Sequence, residues 1–141
     1  APSRAQRVLR PNDTIVGTVR PGNGSYAFID EEGLTGSTGF AVLRPKREEY
    51  AALVYIAATA PDNIDRLANL ADGGAYPAVR PEIVVSTNIA VADEKTIAKF
   101  SQHVFPMLKS IAHNERESRT ISALRDTLLP RLISGQLRVN Q

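Results

Sequence analysis

The spacing of apolar and polar positions divides the chain into a β-rich first part and a long helical last part. Residues 14–20 are rich in β-branched side chains and predict a strand. Pro21-Gly22-Asn23-Gly24 predicts a turn, because Gly and Asn tolerate positive φ. Residues 25–30 return as a second strand and close a hairpin. Residues 31–36 make the next turn, and 37–43 predict a third strand ended by Pro45. The pattern then changes: Glu48, Glu49, Tyr50, Leu53 and Ile56 fit a short helix within 46–59, stopped by Pro61. Residues 63–71 predict a second short helix, with Asp62 as N-cap and Gly73-Gly74 past its end. Residues 75–81 read as an extended segment stiffened by proline, and 83–91 as a further strand.

A helical pattern begins after Asp93, a good N-cap, and runs for about forty residues, or about 60 Å at helical rise. Apolar side chains recur at Ile97, Phe100, Val104, Met107, Leu108 and Ile111. They weaken across Asn114, Glu115 and Ser118 and resume at Ile121, Leu124, Leu128 and Leu132. Spacings of three and four indicate a coiled-coil-like seam. Pro106 is expected to kink the helix or divide it in two, and Ser134-Gly135, just after Pro130, offers the C-terminal stop. The polar interruption at 114–118 has two readings: a stretch that faces water, or seam positions that set register against a partner helix. A helix this long exceeds the three or four turns usual in a small domain and cannot bury its apolar face against the residues left to it. It serves as a spacer, a docking surface or half of a helix pair. Val104, Leu108, Ile111, Ile121, Leu124, Leu128 and Leu132 are the candidate partner interface. The expected organisation is therefore α+β: a small β-rich domain over 1–92 and a long helix over 93–141.

Composition adds bounds. Apolar residues are 43% and charged residues 23% of the 141, ordinary for a folded protein. No run approaches the roughly twenty apolar residues of a membrane span, and no secretory pattern opens the chain. Cysteine is absent, which excludes disulfides and thiolate metal sites and fits a cytoplasmic address. A chain that starts at Ala1 rather than Met is expected to be processed or truncated. Charge is uneven: residues 1–92 hold nine Lys/Arg against ten Asp/Glu, and 93–141 hold eight against five. Arg4, Arg7, Arg10 and Arg20 precede an acidic patch at Asp30, Glu31 and Glu32. Such a basic cluster suits either phosphate or solvent.

No catalytic constellation competes. His103 and His113 stand ten apart in the long helix, too far for one metal site on a single turn. No acidic pair is flanked by a nucleophile and a base. Gly22-Asn23-Gly24 is too short for a phosphate-cradling loop and lacks the following Lys-Ser/Thr. No cofactor and no metal is expected, and the chain reads as a non-enzyme.

Several pieces, in order, resemble one family. They are Thr18-Val-Arg-Pro21, the stretch from Ser37 through Gly39-Phe40-Ala41 to Pro45, Ala75-Tyr76-Pro77-Ala78-Val79, Asn114-Glu115-Arg116-Glu117-Ser118, and the stretch from Leu124 through Leu128-Leu129-Pro130 to Gly135. Together, from Arg10 to Val139, they resemble the specificity subunit of type I restriction–modification systems. The resemblance implies a target-recognition domain that reads one half of a split double-stranded DNA target. It implies a following helix that packs antiparallel against a second one, from a second copy or a second half. It also implies docking to a methyltransferase (modification) subunit, with the restriction subunit in the full complex and all catalysis in those partners. The family's subunits carry two such domains, whereas this chain matches one, and its recognition domain starts late. A fragment, a proteolysed product and a half-length subunit that dimerises all stay open.

Sequence is read at base edges, while phosphate contacts position the protein. The resemblance points to loops and strand ends: Thr18, Arg20, Asn23, Ser25 and Tyr26 around the first turn, then Ser37, Thr38, Tyr76 and Arg80. Arg20 suits guanine or phosphate, Asn23 an adenine edge, Ser25 and Tyr26 a phosphate. Each has a plainer role beside it. Asn23 is a turn-former, Arg20 an exposed strand end, and Ser37 and Thr38 polar strand positions. Tyr76 is a core ring and Arg80 a surface charge in the same plainer terms. Two functions follow: a DNA-specificity module, or a protein-interaction and dimerisation module that no longer reads DNA.

Overall fold

A computed structural model describes residues 5–89 and 92–136. Arg4, the end of the 83–91 segment at Ala90 and Val91, and the end of the Arg10–Val139 resemblance at 137–139 lie outside the described residues. The chain is α+β and divides into two compact units, one up to Leu108 and one from Lys109 onward.

The first unit is built on β2 (Thr14–Gly17), the middle strand of an antiparallel sheet between β3 (Tyr26–Phe28) and β5 (Phe40–Leu43). Thr14 pairs with Phe28 on one side and Leu43 on the other, and Val16 with Tyr26 and Ala41. The predicted hairpin is thus present. Its turn is a single 3₁₀ turn, Pro21–Asn23, closed by Gly24 at φ 64°. Gly17 suits a close approach: a Cβ there would stand 3.1 Å from the Ser25 Cβ, a tight contact.

A second, two-stranded sheet pairs β1 (Ala5–Val8) with β4 (Thr35–Ser37). The predicted strand over 37–43 is therefore two strands in two sheets, broken by a turn at Thr38-Gly39. The Ser37 hydroxyl accepts the Gly39 N–H at 3.3 Å and stabilises that turn. Where the two sheets meet, Asp13 is fully buried and accepts both Nε and Nη2 of Arg44 at 2.8 and 2.7 Å and the Arg10 N–H at 2.8 Å. That bidentate bond to a carboxylate raises the Arg44 pKa. Removal of Arg44 would leave a carboxylate in the interior without its counter-charge, which is far costlier than the loss of a surface pair.

Three helices cover the sheet. α1 (Ala51–Thr59) follows a 3₁₀ turn at Glu48–Tyr50 and ends before Pro61, as predicted. Its alanines serve two cores. Ala58 joins Val16, Ala41, Leu67, Val79 and Val84, whereas Ala51 and Ala52 join Phe28 and Leu108. α2 (Pro61–Leu70) starts earlier than predicted: Ala60 is the N-cap and Asp62 lies in the first turn. Pro61 supplies N1, where its missing N–H costs nothing. Over the described residues 83–89, the expected strand is replaced by α3 (Pro81–Val85) and irregular chain. Pro81 at the first helical position and burial of Val84 override the strand preference of the β-branched run. Arg66 fastens α3 to α2, since Nε donates to Asn63 and Nη2 to Thr87 at 3.0 Å each.

α4 (Glu94–Ile133) opens as predicted. Asp93 Oδ1 accepts the Thr96 N–H at 2.7 Å, and this bond lowers the Asp93 pKa. Pro106 does not divide it, because one missing backbone bond leaves those before and after it to carry the helix on. Gly135, at φ 73°, donates to Leu132 and ends it. Within the first unit, Phe100, Val104, Phe105 and Leu108 of α4 pack on the Phe28 core. There Phe28 meets Tyr55 and Phe105 edge to face, centroids 5.8 and 6.0 Å apart.

Candidate nucleic-acid interface

The residues singled out for DNA contact separate into supports and presented groups. Thr18 is a support. It is buried, its hydroxyl and N–H both go to the Gly39 carbonyl at 2.9 Å, and its own carbonyl accepts from Val79. It ties the 37–39 turn and the 72–80 segment to the end of β2. Ser37 is partly buried, with its hydroxyl spent on Gly39, while Thr38 at the apex of that turn is exposed.

Beyond Thr18 the chain turns sharply. Val19 bridges Ala78, and Arg20 takes the left-handed conformation, φ 48° and ψ 58°. Its N–H donates to Pro77 at 2.7 Å and its carbonyl accepts from Asn23 at 2.9 Å. The side chain turns back over the 72–80 segment. Nη2 donates to the Ala75 carbonyl at 3.1 Å, and the guanidinium carbon lies 4.6 Å from the centre of the Tyr76 ring. Tyr76 is 70% exposed, so it is a platform and not the core ring that its place before Pro77 allowed.

Arg20, Pro21, Gly22 and Asn23 face Ala68, Ala71, Ala75 and Pro77 across a cleft of about 320 Å³. Asn23 is exposed on its rim. The fold therefore brings together Arg20, Asn23 and Tyr76, which the sequence separates into two groups. Ser25 is exposed beside the same turn, its carbonyl held by the Gly17 N–H at 2.7 Å. Tyr26 is partly exposed and meets Tyr55 edge to face at 6.2 Å. Arg80 is exposed and caps the start of α3. Sequence reasoning passed over the residues that hold this face in place: Asp13 with Arg44, and Arg66 with Asn63 and Thr87. Paired charge at such separations leaves no local signal.

The seven residues proposed for the helix seam also divide. Leu108, 4% exposed, belongs to the core of the first unit, and Val104, half-buried, packs against it. Ile111, Ile121, Leu124, Leu128 and Leu132 of the second unit are exposed, Ile121 at 64%. Ile121, Leu124, Leu128 and Leu132 lie within twelve residues, about three turns, and form one stripe. Ile111 stands about 80° round the helix from Ile121 at 3.6 residues per turn. Beside and across the 114–118 interruption, His113 Nε2 stands 3.6 Å from Glu117 and Glu115 pairs with Arg119 at i,i+4, on an exposed surface.

Among the described residues no three His, Asp or Glu side chains gather as for a metal ion. No described helix is long and apolar enough to cross a membrane.

No protein-family model matches the chain. Two curated proteins are similar to it. The type I restriction enzyme HindI specificity subunit of Haemophilus influenzae is 24% identical over 133 residues, covering 90% of this chain and 29% of that protein. The type I restriction enzyme MjaIX specificity subunit of Methanocaldococcus jannaschii is 28% identical over 69 residues, covering 49% of this chain and 16% of that protein. The chain thus spans less than a third of the length of the curated relatives that it matches.

Proposed function

We propose that this chain is a DNA-specificity module of a type I restriction–modification system. It reads one half of a split double-stranded target through the first unit and pairs through the second. The observation that carries the proposal is the similarity to the HindI specificity subunit, which runs through 90% of the chain and so through both units. The geometry supports it. The first unit presents arginine, asparagine, serine and tyrosine side chains from one turn and the segment beside it, with base-reading and phosphate-binding chemistry available in the same place. Its role is non-catalytic, with methylation and cleavage carried by partner subunits.

The second unit completes the reading. Its stripe of exposed leucine and isoleucine is a liability in a lone chain. An antiparallel helix from a second copy or a second half would cover it and fix the distance between two recognition domains. The methyltransferase subunit docks on this assembly, and the restriction subunit joins in the full complex. Co-purification from the native lysate, with bound proteins identified by mass spectrometry, tests the assignment. An adenine methyltransferase among them supports it. The same experiment returning only the chain itself, together with sequence-indifferent DNA binding, favours an interaction module that no longer reads DNA.

A further inference from the structure

We infer that Arg20 is a guanine reader and that Tyr76 is the positioning residue that makes it one. The inference rests on the DNA-reading proposal above and deepens it. A phosphate contact needs a positive charge within reach and tolerates a flexible side chain, whereas base reading needs a planar fork held at one angle.

Arg20 is held at both ends. Its backbone is fixed in the left-handed region, where a residue with a Cβ is strained, by bonds to Pro77 and Asn23. Its guanidinium lies over the Tyr76 ring, 4.6 Å from carbon to centroid, and Nη2 is tied to the Ala75 carbonyl. A guanidinium has five N–H donors arranged as two forks, one from Nε and Nη2 and one from Nη1 and Nη2. A single bond to Ala75 uses one N–H of Nη2, which belongs to only one of those forks. The other fork stays whole, matching O6 and N7 of guanine in the major groove. Tyr76 is an exposed aromatic ring outside both cores, and stacking is the work its position allows.

The test is selection from duplex DNA with a randomised central segment, using the full chain at fixed salt. Wild type should enrich a motif with guanine at one position. Arg20→Ala should lose that preference alone, a fall of about 5- to 150-fold in discrimination at that position. Tyr76→Ala should weaken the same preference and leave the other positions unchanged, while Tyr76→Phe should retain it. 7-Deazaguanine at that position should weaken wild-type binding, a result that does not depend on how well any variant folds. If Arg20→Ala keeps the motif, whether it binds as wild type does or weakens all sequences alike with a salt slope lower by about one, Arg20 does not read guanine. The inference is then overturned while the DNA reading stands. If wild type enriches no motif, the DNA reading fails and this inference with it.

Discussion

Leu108 and Leu124 stand on the same 40-residue helix, yet Leu108 is 4% exposed and Leu124 55%. Both belong to apolar stripes of helical period. The stripe that includes Leu108 is covered by aromatic side chains from its own unit, with Phe28 and Tyr55 beside it. The stripe that includes Leu124 is covered by nothing in this chain among the described residues. Helical periodicity therefore states that a face will be buried but not what buries it. The first stretch of α4 is a domain helix, and the second is the half of an interface that we propose to be completed by another helix.

The largest effect expected from this contrast is on folding. Leu108→Ala removes a buried side chain from the Phe28 core and should destabilise the first unit by roughly 2–5 kcal/mol in urea titration. Leu124→Ala should change that stability by no more than about 0.5 kcal/mol, as an exposed site does. Equal losses at the two positions would erase the distinction between the stretches. Association should respond the other way. Sedimentation of the wild-type chain at micromolar concentration should show self-association, and Leu124→Asp should abolish it with the folding transition of the first unit intact. A stable wild-type monomer would break the pairing half of the proposal.

A smaller effect is expected at the reading face. Arg20→Ala should weaken binding to a target site by roughly 1–3 kcal/mol in a titration at controlled salt and leave self-association alone. Unchanged affinity would remove Arg20 from the face. Loss of both binding and association would show that the two units do not work separately.

What was legible in the sequence was whatever local chemistry decides. The first hairpin follows from β-branched strands around Pro21 to Gly24, the start of α4 from the carboxylate of Asp93, and its end from Gly135. What was illegible was decided at a distance. Residues on either side of Thr38-Gly39 are equally extended, so only pairing with different strands reveals two sheets. The run Ile83-Val84-Val85 has strand propensity, but Pro81 and the core around Val84 make it helical. The site divides in the same way. Arg20, Asn23 and Tyr76 could each be named as polar or aromatic residues near turns. That Arg20 lies on Tyr76 depends on the Val19–Ala78 bridge and on a bond between residues 55 apart in the chain. The bond that holds the Thr18 hydroxyl is hidden for the same reason, since its partner Gly39 comes from a different turn.

The smallest effect separates the two stretches of α4 by pH. Asp93 accepts the Thr96 N–H at 2.7 Å and the Thr96 hydroxyl at 3.0 Å, and these bonds hold its carboxyl below the ordinary carboxylate range. A carboxyl that binds its proton less readily folded than unfolded contributes stability above its unfolded pKa. That contribution is lost as pH falls through the folded value. Lowering the pH from neutral toward 3 should therefore loosen the start of α4. In amide hydrogen exchange, protection around Thr96 and Ile97 should fall before protection around Leu124 does. Asp93→Asn keeps an acceptor at the cap without the titrating group, so it should retain most of the neutral-pH protection and flatten its acid dependence near Thr96. If Thr96 and Leu124 lose protection together in both proteins, the start of α4 is not held by its cap. The packing of Phe100 and Leu108 on the Phe28 core would then account for its order.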